Sequence, residues 1–190
     1  MPTDGELRRL NSVAKDSFHG LRDAALVAMS YRVGLRAKEL ASLSINDVLS
    51  PTGKLLDECA LTGEMTKGGK PRIIYLTNTT LRAVLTAYLN SRRALEHILF
   101  NASSALFRSQ KGGHFSPNTM QQLLSRLHRR AGVNGGRSHS GRRWFATELI
   151  SKGVDIKSVS VLMGHSSVSM TAQYAEDNPQ RLRRIAAELA

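Results

Sequence analysis

Ser138-His139-Ser140-Gly141-Arg142, Leu162-Met163-Gly164-His165 and, nine residues on, Tyr174 lie in the last third of the chain and decide how the remainder is understood. They place two histidines, an arginine and a tyrosine in one block of helical sequence, a set suited to attack on phosphate. Tyrosine is a weak nucleophile toward phosphorus unless the phosphate charge is neutralised and the leaving oxygen protonated, so these side chains make chemical sense together. His139 and Arg142 stand three apart, on one face of a helix, and can reach a single phosphate. Trp144, Phe145, Leu149 and Ile150 give that helix apolar contacts, and Gly153 ends it. Asp155 then caps a helix packed through Ile156, Val159 and Leu162 and stopped by Gly164, where His165 emerges. Tyr174 falls on a further short helix begun by Ser167 or Ser169.

Outward from this block, Pro179 opens a terminal helix, Gln180–Leu189, whose stripe of Leu182, Ile185, Ala186 and Leu189 suits docking on a neighbour as well as on its own domain. Upstream, Ser116-Pro117 starts a helix with Leu123, Leu124 and Leu127 inward and Arg126, Arg129 and Arg130 on or near the opposite face, either a phosphate tracker or a solvated basic surface. Residues 99–115 are irregular, and Thr79 to Leu95 is a helix with a core stripe. Between Leu55 and Leu76 the pattern turns extended, with a glycine-rich tip at Thr66-Lys67-Gly68-Gly69-Lys70-Pro71-Arg72, which predicts a small antiparallel sheet with Lys67 and Lys70 projecting. Nearer the start, Thr3 and Glu6 form a capping box. A core helix from Leu21 ends at Gly34, and Arg36 stands at the entrance of the next short helix, whose Leu40 and Leu43 face inward. The fold class is therefore mainly α with a small antiparallel β-sheet.

The 190 residues suit one compact domain, and Lys and Arg number 27 against 15 Asp and Glu, giving a net charge of +12. Residues 1–50 carry 7 basic and 6 acidic side chains, so nearly all the excess lies with the candidate chemistry and points to a polyanionic partner. No long apolar run or basic amphipathic helix speaks for a membrane. Cys59 stands alone, which excludes an internal disulfide and leaves a zinc site short of ligands. Without a secretory leader, the expected location is cytoplasmic.

Gly34-Leu35-Arg36-Ala37-Lys38-Glu39-Leu40, His139-Ser140-Gly141-Arg142 and Leu162-Met163-Gly164-His165 followed by Tyr174 resemble the tyrosine recombinase (phage integrase) catalytic domain in order, spacing and flanking apolar residues. The resemblance covers Thr3 to Tyr174. It implies that Tyr174 is the nucleophile that joins a DNA 3′ phosphate and releases a 5′ hydroxyl, and that Arg36 and Arg142 clamp the scissile phosphate. It further implies that His139 assists proton removal from the tyrosine, that His165 hydrogen-bonds the phosphate, and that Lys67 protonates the leaving oxygen; on the residues of the glycine-rich turn alone, Lys70 could serve instead. Each position has a plainer alternative. Arg36 can pair with Glu39, His139 can be a helix cap, and Tyr174 can be a half-buried core residue, as Tyr31, Tyr75 and Tyr88 are expected to be. His19, His97, His114 and His128 receive no role.

The same resemblance implies site-specific cleavage and rejoining of double-stranded DNA without metal or nucleotide cofactor. The expected assembly on the attachment or inversion site is a homo-oligomer, a tetrameric synapse, with accessory DNA-bending or directionality proteins. A topoisomerase-like nicking-closing enzyme and a catalytically silent DNA-binding regulator are the alternatives. Residues 1–176 form the expected catalytic domain, and 177–190 a terminal helix exchanged between protomers. The second motif carries Gly141-Arg142-Arg143 where many members have Leu-Arg-His, with its first arginine intact. Members usually carry a preceding helical core-binding domain. The chain is accordingly either a short integrase, like the fimbrial-switch invertases, or a piece of a longer one, with weaker and more salt-sensitive DNA binding than two-domain members.

Overall fold

A computed structural model describes residues 2–176 together with Arg183, Ala186 and Ala187. The terminal helix expected at 180–189, and with it any exchange between protomers, otherwise lies outside the described residues. Helix α1 (Asp4–Lys15) opens on the expected capping box: Glu6 N–H donates to the Thr3 hydroxyl at 3.2 Å and Thr3 N–H to the Glu6 carboxylate at 2.8 Å. Helix α2 (Gly20–Arg32) is the central element, buried at every position from Asp23 to Tyr31 and packed against α1, α4 (Thr79–Glu96) and α6 (Ser140–Ser151). Leu21 is an exception to its expected core role, being about half exposed at the outer end of α2.

Helix α3 (Ala37–Ser42) packs on α5 (Pro117–Arg130), which is capped by Ser116 with Pro117 in its first turn. The expected sheet is present, as two four-residue strands rather than one running from Leu55. Strands β1 (Glu58–Leu61) and β2 (Arg72–Tyr75) pair antiparallel with Glu58 opposite Tyr75 and Leu61 opposite Arg72. Cys59, Leu61 and Ile74 face the core, so strand alternation sends Ile73 and Tyr75 to the outer face. Tyr75 is thus not the core tyrosine the sequence suggests, whereas Tyr31 and Tyr88 are. No helix among the described residues is long and apolar enough to cross a membrane.

The last three helices, α6, α7 (Ile156–Met163) and α8 (Ser169–Glu176), pack on one another around their own small core of Ala146, Ile150, Val159 and Met163, with Tyr174 against it. Met163, rather than Leu162 or Ile156, is the fully buried residue at the end of α7. Gly141 lets α6 approach α2: a Cβ there would lie 2.2 Å from Ser30 Oγ and 3.0 Å from the Ser30 backbone carbon. Backbone cannot swing aside as a side-chain tip can. Gly141→Ala is therefore expected to destabilise by about 1–3 kcal/mol, the usual cost of overpacking, read as a lowered midpoint in denaturant with an unchanged slope.

Candidate active site

Arg36 is placed by the turn between α2 and α3. Gly34 adopts φ +70°, and a Cβ there would sit 2.5 Å from the Phe145 ring, so the turn needs glycine for both conformation and space. The Arg36 backbone N–H donates to Glu39 Oε2 at 2.7 Å and its guanidinium to Oε1 at 2.9 Å. The pairing with Glu39 is real and coexists with a place in the cleft described below. Glu39 is wholly buried. Burial works to raise its pKa, but the charge and hydrogen bond of Arg72, the Arg36 N–H and Arg142 outweigh it and hold the carboxyl below its usual value.

Arg142 lies in the first turn of α6, only 4% exposed. Its guanidinium donates to Gly34 O at 2.8 Å and to Met163 O, so it bridges the α2–α3 turn and the end of α7. Burial, and then the neighbouring Arg36, bring its pKa down to about 9, which leaves it charged at neutral pH. Glu39 offsets part of this cost, and a second anion in the cleft would offset more of it.

His139 immediately precedes α6 with no capping bond from its side chain, and its imidazole is held below its ordinary value by partial burial, then by Arg142, Arg36 and Lys67. His165 follows Gly164, which ends α7 in the left-handed conformation at φ +59°. Its Nδ1 lies 2.7 Å from the Thr171 hydroxyl, and burial followed by Arg142, Arg36 and Arg72 pushes its pKa down to about 4. Tyr174 stacks on His165, ring centroids 6.1 Å apart at 18°. Lys67 and Lys70 are exposed on the β1–β2 tip. The base of that tip is pinned where Thr66 Oγ1 donates to Lys70 O at 2.8 Å and Lys38 Nζ to Thr66 O at 2.9 Å.

Arg36, Lys67, Lys70, His139, Arg142, His165 and Tyr174 line one cleft of about 570 Å³, together with Arg143, Ser166 and Met170. All six candidate residues are brought together, with Lys70 beside Lys67. The cationic lining suits a phosphodiester, and neutral imidazoles beside a phenol suit movement of its proton. Sequence inspection missed Arg72, which reaches Glu39, and Thr171, which orients His165. Both left a signal: Arg72 shares the inward face of β2 with Ile74, and Thr171 stands three before Tyr174 on α8.

The lowered histidines make folding pH-dependent. His128, unassigned from sequence, is buried between the Tyr31 hydroxyl at 2.8 Å and Leu124 O at 2.7 Å, and burial lowers its pKa. Below the ordinary value of 6.5 the unfolded chain binds protons that folded His128 and His165 resist, so their stabilisation is complete above that pH and is lost as the pH falls below it, for His165 down to about 4. The urea midpoint is expected to fall steadily from pH 7 to pH 4.5. A flat midpoint over that range would contradict this.

The profile of the phage integrase family matches residues 3–181. A tyrosine recombinase XerD of Corynebacterium glutamicum is 34% identical over 166 residues, covering 87% of this chain and 51% of that protein. A tyrosine recombinase XerC of Bacillus subtilis is 34% identical over 168 residues, covering 86% and 52%. The chain thus spans about half the length of these relatives. Among solved structures, the XerA recombinase superposes with a TM-score of 0.78 at 25% identity, covering 98% of this chain and 64% of that one. The XerH site-specific recombinase bound to palindromic difH, in a post-cleavage complex, shares the fold at a TM-score of 0.73 and 24% identity, covering 98% and 52%. With its profile matched over nearly its whole length and its relatives above 30% identity named tyrosine recombinases, this chain belongs to the phage integrase family.

Proposed function

We propose that this chain cleaves and rejoins double-stranded DNA through Tyr174, as the strand-transfer domain of a site-specific recombinase. The observation that carries the proposal is the single cleft holding the phenol, two guanidinium groups, two imidazoles and the hairpin lysines. Arg36 and Arg142 hold the non-bridging oxygens of the scissile phosphate and stabilise the charge that builds on them in the transition state. The Tyr174 oxygen attacks phosphorus, its proton passing to neutral His139, and the bond to the 5′ oxygen breaks. Lys67 gives that oxygen a proton, with Lys70 the nearby substitute. When Thr171 donates to Nδ1 of His165, the ring carries its proton on Nε2 and offers it to a phosphate oxygen. The energy of the broken bond stays in the 3′-phosphotyrosyl link, so rejoining needs no nucleotide cofactor, and the arginines and lysine supply positive charge without a metal. The proposal extends to assembly as a homo-oligomer, a tetrameric synapse, on an attachment or inversion site, with DNA-bending or directionality proteins as accessory partners.

The test is a suicide DNA duplex carrying the attachment site found beside the gene and nicked next to the cleavage point. The expected product is a denaturation-resistant adduct bearing the DNA 3′ phosphate, with a free 5′ hydroxyl, mapped to the peptide containing Tyr174. Recombinants between two sites mark a recombinase. Relaxation of supercoils alone would assign a nicking-closing enzyme, and binding without adduct a silent regulator.

A further inference from the structure

We infer that Arg72 is a positioning residue for strand cleavage: its guanidinium ties the hairpin strand both to the carboxylate that holds Arg36 and to the helix end that presents His165. Arg72 opens β2 opposite Leu61 on the inward side of the sheet. One terminal nitrogen donates to Glu39 Oε2 at 2.8 Å and the other to Leu162 O at 2.5 Å. The side chains of Arg72 and Glu39 are 6% and 0% exposed. Glu39 meanwhile accepts from the backbone and side chain of Arg36, so one carboxylate serves two arginines from separate elements.

The other end of the fork reaches the last turn of α7, where a carbonyl lacks a partner within its own helix. Gly164 makes room for it: a Cβ there would lie 2.4 Å from Arg72 Cδ. Its glycine therefore serves both the left-handed stop and the passage of Arg72, and His165 follows directly. Arg72 thus links three parts of the cleft, namely the strand leading from the Lys67 tip, Arg36 through Glu39, and His165 through the α7 terminus.

Stability alone is a poor reason for this arrangement. A buried ion pair is often matched or bettered by apolar residues of similar volume. Moreover, Arg72 Nε is one of two side-chain atoms among the described residues that are buried with no hydrogen-bond partner, the other being Ser30 Oγ. An arginine kept at that disadvantage, with its fork spanning two site-bearing elements, is better explained by what it positions.

The inference rests on the proposed cleavage reaction, and Arg72→Lys tests it, since lysine keeps the charge but cannot span both acceptors. On the suicide duplex at saturating protein, the single-turnover rate of adduct formation is expected to fall about 10–100-fold, the scale of an ångström-level misplacement, with the DNA dissociation constant within about threefold. A duplex with sulfur in place of the bridging 5′ oxygen needs no proton donor for its leaving group and is expected to leave the defect in place. In the DNA-free protein, amide exchange at Gly164 and His165 is expected to accelerate while α4 and α5 keep their protection. A rate within twofold of the unsubstituted chain would overturn the inference. So would full restoration by the sulfur duplex, which would put the defect at the hairpin lysine alone, or uniformly faster exchange, which would make Arg72 merely structural. If Arg72→Lys does not fold, Arg72→Gln, which leaves the Glu39 pairing with Arg36 in place but cannot span both acceptors, takes its place under the same criteria. Should the unsubstituted chain form no adduct, the proposed function falls, and the exchange pattern still decides the positioning claim.

Discussion

Tyr174→Phe is expected to bind attachment-site DNA as the unsubstituted chain does and to form no covalent adduct. The substitution deletes one oxygen. The ring that remains still stacks on His165 and rests against the small core of Ala146, Ile150, Val159 and Met163, so α8 keeps its seat. No other tyrosine is placed to substitute. Tyr31 and Tyr88 are buried, their hydroxyls committed to His128 and to Leu106 O, and Tyr75 stands on the outer face of β2. Removal of a nucleophile from a site that acts as a unit lowers turnover by factors on the order of 10⁶, and here it leaves no atom to carry the DNA. A denaturing gel of the suicide-duplex reaction reads the result directly. An adduct that persisted in Tyr174→Phe would place the nucleophile elsewhere and sink the proposed chemistry.

The local elements of this site are legible in the sequence because each is set by short-range chemistry. Thr3 and Glu6 cap α1, Ser116-Pro117 opens α5, Asp155 caps α7 through Ser158 N–H at 2.9 Å, and Gly164 stops α7 where His165 must emerge. What the sequence conceals is which distant groups those elements bring into contact. Helical period puts Arg142 near His139, but nothing in it shows that the guanidinium ends on the carbonyls of Gly34 and Met163, 108 and 21 residues away. Arg36 beside Glu39 reads as a pair within one helix, and the third member, Arg72, comes from a strand 33 residues on. Tyr75 departs from the expected core position for a related reason: its strand is aromatic and β-branched enough for a core, and only the pairing register decides which alternate residues face inward. The two glycines that let these groups approach, Gly34 beneath Phe145 and Gly141 against Ser30, look like ordinary turn and helix residues until the packing is seen.

Arg142→Lys is expected to lower the rate of adduct formation at pH 7 by about 10²–10³, the usual cost of removing one preorganised donor from a transition-state site. Two physical differences separate the side chains. The guanidinium spans the Gly34 and Met163 carbonyls at once and so fixes its remaining N–H groups toward the cleft, whereas an ammonium at the same depth meets one acceptor and leaves the other unpaired. Charge differs as well. Burial and Arg36 bring the arginine to about 9, still protonated at neutral pH. A lysine ordinarily titrates at about 10.4, and the same burial and the same Arg36 would push it down toward neutrality, where the phosphate needs a cation. The rate of Arg142→Lys relative to the unsubstituted chain is therefore expected to rise as the pH is lowered from 8 to 6.5. Loss of charge at position 142 also removes one cause of the lowered His139 pKa, and protonation of that base at the acid end opposes the rise, so a rise in the ratio reads the return of charge at position 142. Single-turnover rates across the series check it. A ratio within tenfold of unity at pH 7 and flat with pH would show that Arg142 supplies neither the fork nor the charge, and would remove it from the phosphate clamp.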